Sequence, residues 1–257
     1  AGWSLKQLIK EGLGGIEGKI TSAPAKHLSV LCNQMVNFLG IMQNEWAGAQ
    51  AFSSFDTYLA PFVKTDHLKK CIEAFIYGVN TPSRWGTQAP FSNITLDWTV
   101  PDDLAELPAI VGGKEMDFKY KDCKQEMDMV NKAFIEIMIE GDANGRGFQY
   151  PIPTYSITRD FDWSETENNK LLFEMTAKYG TPYFSNYINS DMEPSDVRSM
   201  CCRLRLDLRE LRKKSGGFFG SGESTGSVGV VTINMPRIAY LSRTPKEFYQ
   251  RLDRMMD

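Results

Sequence analysis

Hydrophobic positions recur at helical spacing in five segments of the chain. Leu28, Leu31, Cys32, Met35, Phe38, Leu39 and Met42 fall three and four residues apart, as on one face of a helix. Ser22 and Pro24 stand where a cap and a first-turn proline belong. Leu68, Cys71, Ile72, Phe75 and Ile76 predict a second helix after Thr65, stopping near Gly78. Cys123, Met127, Val130, Phe134, Ile137 and Met138 predict a third, stopping at Gly141. Ser164 to Glu167 has the form of a capping box and opens a fourth through Leu171, Leu172 and Met175. Thr244 to Glu247 is a second such box with Pro245 at the first helical position, and opens a fifth helix to the end of the chain.

Between the helices lie short runs of β-forming residues. They are Asn93 to Thr99, Tyr150 to Thr158, Tyr183 to Asn189 and Ser227 to Asn234. Pro151 and Pro153 in the second run predict a strand end or an edge, because proline cannot donate to a ladder. Alternation of helix and strand predicts an α/β protein with a largely parallel sheet or barrel. Pro101 to Gly113 reads as a long surface loop. No repeat of fixed period interrupts the pattern.

Composition narrows the class. The 257 residues suffice for one sizeable core, and 42% hydrophobic with 24% charged residues is ordinary globular composition. A net charge of −3 disfavours nucleic acid as the main partner. No window approaches the roughly 20 apolar residues of a membrane helix, and the first residues lack a secretory-signal layout. No membrane partner and a cytoplasmic location are therefore expected. The start at Ala1 rather than methionine suggests processing or a piece of a longer chain.

Five cysteines, Cys32, Cys71, Cys123, Cys201 and Cys202, are an odd number without a CxxC pair, which argues against a disulfide framework. Zinc needs about four convergent ligands, and only His27 and His67 are spare, so no metal is expected within the segment. The first three cysteines sit on apolar helical stripes and read as core. Both histidines read as solvated or capping residues. The adjacent Cys201 and Cys202 lie outside any clear amphipathic helix. A cysteine on a loop suits thiolate or radical chemistry, and without a histidine base the hydrolase arrangement is weak. The glycine-rich stretch from Gly216 to Gly229 lacks the P-loop ending and precedes a strand, so it reads first as a turn. Gly141 to Gly147 reads as a helix stop and turn rather than a calcium loop. Asn80 to Phe91 is a polar loop feeding a strand, whose Arg84, Trp85 and Gln88 suit contact with a base or a partner.

Eight stretches in order resemble one family, the catalytic subunit of anaerobic (class III, glycyl-radical) ribonucleoside-triphosphate reductase. They are AGWSLKQLI, PAKHLSVLCNQMVNFLG, EWAGAQAFSSFDTYLAPFV, TPSRWGTQAPFSNITLDWTVP, GDANGRGFQYPIPTYSIT, AKYGTPYFSNYINSD, SMCCRLRLDLREL and GSVGVVTINMPRIAYL. The resemblance implies a ten-stranded α/β barrel of two half-barrels with a central finger loop, incomplete in this segment. It places effector and dimer-contact helices with a specificity loop in residues 1–90, and barrel strands with the finger loop in 91–257.

The implied reaction reduces a ribonucleoside triphosphate to its 2′-deoxy form, beginning with abstraction of the ribose 3′-hydrogen by a cysteine thiyl. Cys202 matches the finger-loop cysteine because arginine follows it, with Cys201 as the alternative thiol. Asn234 matches the polar residue that hydrogen-bonds the ribose hydroxyls. Asn80, Ser83, Arg84, Trp85, Gln88, Phe91 and Ser92 match the specificity loop, and Asp56, Thr57 and Lys64 the effector-binding neighbourhood. Coupling between effector and substrate would be reciprocal. The implied partners are the triphosphate substrate, nucleotide effectors, a second copy and a radical S-adenosylmethionine activating enzyme carrying an iron–sulfur cluster.

The same resemblance places a second active-site cysteine just before Ala1, and the glycyl-radical loop and a four-cysteine zinc site after Asp257. A regulatory nucleotide-binding cone is also expected outside the segment. The isolated segment is thus expected to be inactive, with open strand edges that favour aggregation. The reductant, formate or a thiol protein, stays open. A non-catalytic nucleotide-binding barrel and another glycyl-radical enzyme acting on a small substrate are the competing readings, against which the TPSRWGTQAPF and INMPR stretches favour the reductase.

Overall fold

The computed structural model describes residues 2–14, 18, 20–46, 48–65, 67–82, 89–190, 197–200, 204–207 and 232–256, with backbone alone at 64–65, 197–200 and 204–207. The chain divides into two units, Ala1–Gly226 and Ser227–Asp257.

In the first unit, β1 (Gly2–Trp3) and α1 (Leu5–Glu11) precede α2 (Leu28–Glu45), β2 (Gln50–Phe52) and α3 (Phe55–Leu59). A 3-10 turn (Ala60–Thr65) leads to α4 (Leu68–Asn80) and β3 (Ser92–Leu96). Then come α5 (Asp102–Ala105), β4 (Pro108–Val111), β5 (Lys114–Lys119), α6 (Lys124–Glu140), β6 (Ile152–Ile157), α7 (Glu167–Tyr179) and β7 (Tyr183–Asn186). Two further strands, β8 (Val197–Met200) and β9 (Leu204–Asp207), pair antiparallel. The second unit carries α8 (Met235–Leu241) and α9 (Pro245–Met256).

Five strands form one sheet in the order β1-β2-β3-β6-β7, every pair parallel. The predicted helical stripes face its core: Leu28, Leu31, Cys32, Met35 and Leu39 of α2, and Ile72, Phe75 and Ile76 of α4, are buried in one apolar cluster. Gly78 lets α4 approach α2, since a Cβ there would lie 2.7 Å from the Val36 side chain. Cys32, Cys71 and Cys123 are buried, as the stripe positions imply.

Several sequence expectations are corrected. Residues 101–113 are not a long loop. Asp102 and Asp103 open α5, and Gly112 and Gly113, at φ 62° and 75°, make the turn of the β4–β5 hairpin. Of the two placements the prolines allowed, the strand end holds and the edge does not: Pro151 precedes β6 and Pro153 is its second residue, while β6 lies between β3 and β7. Its proline is tolerated because pairing with β7 begins at Thr154, one residue past Pro153. The cap of α7 is Thr166, whose Oγ1 accepts from Asn169 N at 3.1 Å, rather than Ser164. His27 rather than Ser22 precedes α2; the Ser22 hydroxyl accepts from Gln34 Nε2 at 2.7 Å. Thr244 does accept from Glu247 N, but the Glu247 carboxylate takes the N–H of Arg243 rather than that of Thr244. The expected strand at 227–234 lies outside the described residues up to 231, and 232–234 carry no regular structure.

Candidate functional site

Paired residues in neighbouring strands point to the same side of a sheet, and successive residues alternate. The registers therefore give the five-stranded sheet two unlike faces. One carries Trp3, Phe52, Ile94, Leu96, Tyr155 and Ile157. Trp3 and Phe52 meet the Phe38 ring of α2 at 5.4 and 5.6 Å, and the Tyr155 hydroxyl reaches Asn131 of α6 at 3.0 Å. This is the helix-covered side. The other face carries Gly2, Ala51, Asn93, Thr95, Thr154, Ser156 and Ser185, flanked by Ile152 and Tyr183. Apart from the flanks its residues are small or polar and none is charged.

These polar residues are not a solvated face. Asn93 is 1% exposed and Thr95 8%, and Thr154, Ser156 and Ser185 are buried as well. Asn93 Nδ2 donates to Ile152 O at 2.8 Å and, more weakly, to Thr154 Oγ1 at 3.4 Å. Asn93 Oδ1 and Thr95 Oγ1 are buried without a hydrogen-bond partner. The backbone of β8 runs within 8 Å of β1 and β2 without joining the sheet. Its last residue, Met200, pairs with Leu204, so the two strands bracket positions 201–203.

At the C-terminal end of β3 lies a buried polar network. Asp56 of α3 is fully buried and accepts from Asp97 N at 2.8 Å, Trp98 N at 3.0 Å, Thr57 N at 3.1 Å and Asn131 Nδ2 at 2.8 Å. Burial pushes its carboxyl above the usual range, against the lowering pull of these four donors. The Thr57 hydroxyl donates to Asp97 Oδ2 at 2.6 Å. Tyr155, also fully buried, is held well above the ordinary phenol value by burial and then by the Asp56 charge. The network fixes the turn at Trp98, whose φ is 64°. Asp56 and Thr57, expected beside an effector, thus lie in the interior with these polar atoms engaged by the fold. Lys64 ends the 3-10 turn with Thr65, and its side chain lies outside the described residues.

Asn80 ends α4 as a clamp. Its Nδ2 donates to Ile76 O and Tyr150 O at 2.7 and 2.6 Å, and its Oδ1 accepts from Gln149 N and Tyr150 N at 3.2 and 3.1 Å. The amide positions the approach to β6 and has no hydrogen left for a base. Phe91 stacks edge-on against Tyr150 at 5.2 Å. Ser92 opens β3 on the helix side, its hydroxyl buried and unpartnered. Ser83, Arg84, Trp85, Gln88, Cys201 and Cys202 lie outside the described residues. In the second unit, Asn234 is exposed and caps α8, its Oδ1 accepting from Arg237 N at 2.9 Å. That bond leaves its N–H groups directed elsewhere.

Sequence reading did not single out Asn93 and Thr95. Their period-two alternation with Ile94 and Leu96 was visible, but an alternating polar position ordinarily faces water. Among the described residues no cluster of three or more His, Cys, Asp or Glu side chains can hold a metal, and no helix is long and apolar enough to cross a membrane.

A parallel sheet with helices on one side and a buried, uncharged polar row on the other defines an α/β fold rather than a hairpin or a helical bundle. The chain belongs to the anaerobic ribonucleoside-triphosphate reductase family, whose model matches residues 1–257. Solved structures agree in fold. An anaerobic ribonucleotide reductase superposes with a TM-score of 0.69 at 22% identity, covering 98% of this chain and 39% of its own. The enzyme from Thermotoga maritima with dATP and CTP gives 0.65 at 21% identity, covering 98% and 41%. The Thermotoga enzyme with glycerol in the active site gives 0.69 at 21%, again covering 98% and 41%. The chain thus spans about two fifths of the length of these relatives. None of the curated proteins matches it.

Proposed function

We propose that this chain is the thiyl-bearing core of an enzyme that reduces ribonucleoside triphosphates to 2′-deoxyribonucleoside triphosphates without oxygen. The sheet is read as part of a ten-stranded barrel whose polar face looks inward. The observation that carries the reading is the position of β8 beside β1 and β2, since this strand delivers the chain to Cys201 and Cys202. Cys202 is assigned the thiyl and Cys201 a packing role.

In this reading the Cys202 sulfur takes the 3′-hydrogen of the ribose, forming S–H as C3′–H breaks, and the unpaired electron moves to C3′. Loss of the 2′-hydroxyl as water follows, formate or a thiol protein supplies the reducing electrons, and the cysteine returns the hydrogen to C3′. Asn234, with its Oδ1 held by the α8 terminus, has N–H groups to donate to a ribose hydroxyl oxygen. The glycyl radical, formed by a radical S-adenosylmethionine activating enzyme, supplies the unpaired electron from outside these residues, where the structural zinc is placed too. The segment alone is accordingly inactive and acts in the cytoplasm only as part of the whole enzyme.

Regulation is read the same way. One Thermotoga structure carries dATP in its specificity site. The residues from Asn80 to Ser92, with Lys64, are assigned to relaying an effector's identity to the substrate base. Asp56 and Thr57 serve as the frame behind them. A groove between α2 and α4, lined by Ser29, Asn33, Val36, Lys70 and Ala74, is assigned to contact with a second copy.

The test uses the full-length enzyme, activated anaerobically. Cys202→Ser is expected to abolish deoxyribonucleotide formation while the glycyl-radical signal persists, and Cys201→Ser to retain turnover. Turnover by Cys202→Ser would sink the assignment.

A further inference from the structure

We propose that Asn93 and Thr95 of β3 form an uncharged subsite that takes the sugar hydroxyls of the substrate, with the phosphates seated elsewhere. The inference deepens the reading above and rests on it.

The Asn93 amide is oriented by the fold. Its Nδ2 is held by Ile152 O at 2.8 Å, so the flipped amide would set two carbonyl oxygens against each other. Oδ1 therefore presents an acceptor on the polar face of the sheet, buried and without a partner. Two positions away on the same strand and face, Thr95 Oγ1 is also buried and unpartnered. Unpaired buried polar atoms are destabilising and uncommon in a native fold. Two of them side by side, one in a fixed orientation, mark the place of a missing polar group.

The chemistry of that group follows from what the row offers. An amide oxygen accepts only, so the group must donate. A carboxylate or phosphate cannot donate and finds no cation among the described residues of this face, where Thr154, Ser156 and Ser185 continue the row. An O–H group satisfies both atoms: it donates to Asn93 Oδ1 while the Thr95 hydroxyl donates to or accepts from a neighbouring hydroxyl. Adjacent hydroxyls are what a ribose carries and what its deoxy product has lost in part. The row can therefore hold substrate more tightly than product. Asn93 and Thr95 are positioning residues here, since they hold the sugar and exchange no hydrogen with it.

The full-length enzyme tests this with Thr95→Val, which keeps the shape and β-propensity and removes only the hydroxyl. The subsite predicts an unchanged or raised Tm without ligand, a KM for the ribonucleoside triphosphate raised about tenfold, and kcat less affected. It also predicts a smaller preference for a ribonucleotide over its 2′,3′-dideoxy analogue in competition, and recovery of affinity in Thr95→Ser. An unchanged KM and an unchanged preference in Thr95→Val, with wild-type enzyme reducing ribonucleotides normally, would overturn the subsite and leave the reductase reading intact. Failure of the wild-type enzyme to bind ribonucleotides would overturn both.

Discussion

The two faces of one sheet are built on opposite principles. On the helix side, Phe52, Ile94, Leu96 and Tyr155 are fully buried, Gln50 Oε1 accepts from Trp3 Nε1 at 2.7 Å, and the path from Tyr155 through Asn131 to Asp56 is an unbroken hydrogen-bonded chain. On the other side Asn93 and Thr95 are as deeply placed yet keep unsatisfied atoms. Burial is alike, satisfaction is not. Ser92 on the helix side also keeps an unpartnered hydroxyl, but the polar face sets two such atoms two residues apart on one strand, and function is the usual reason for unsatisfied groups so placed.

The largest effect on stability is expected at Asp56. Asp56→Ala removes the acceptor for Asp97 N, Trp98 N and Asn131 Nδ2 at once, which costs about 3 kcal/mol or more and loosens the β3 end. Thermal unfolding checks it. A loss under about 1 kcal/mol would show that burial of the carboxylate, not its bonds, dominates that corner.

A smaller effect tests the exposed periphery. Lys119 and Lys121 hold the Glu106 carboxyl down to about 2, against an ordinary value of 4.5. A lowered acid contributes stability above pH 4.5 that is lost as pH falls toward about 2. Asp56, shifted the other way, gives its contribution below its ordinary 3.8 and loses it as pH rises through its folded value. Carboxyl titration by carbon-13 NMR is expected to place Glu106 near 2, and a midpoint near 4.5 would mean the pair is open in solution. Because Glu106 is exposed, Glu106→Gln is expected to move Tm little.

What could be read from sequence divides along the same faces. The stripes of α2, α4 and α6 were legible because each persists for several turns, long enough for the 3.6 period to stand out. Strands β1 and β2 were not, since two and three residues carry no period. Positions 101–113 looked like loop because turn residues dominate them, although the paired glycines were a hairpin signal. Asp56 and Asn80 were named through resemblance, but the bonds they make were not legible. Their long-range partners lie 41 to 75 and 69 to 70 residues away, at distances no local pattern encodes. The row containing Asn93 and Thr95 was visible as alternation, but nothing in the order of residues says that its polar side points inward.

The central claim is that chemistry lives on one face of the sheet and stability on the other. The most direct measurement compares neighbours on one strand, Ile94→Ala and Thr95→Val, in the full-length enzyme, reading Tm and KM together. The account predicts that Ile94→Ala loses about 2–4 kcal/mol with KM kept in the folded fraction. It predicts that Thr95→Val keeps its Tm and loses affinity for the ribonucleotide. Two variants that change stability alone, or that change both quantities in parallel, would contradict it.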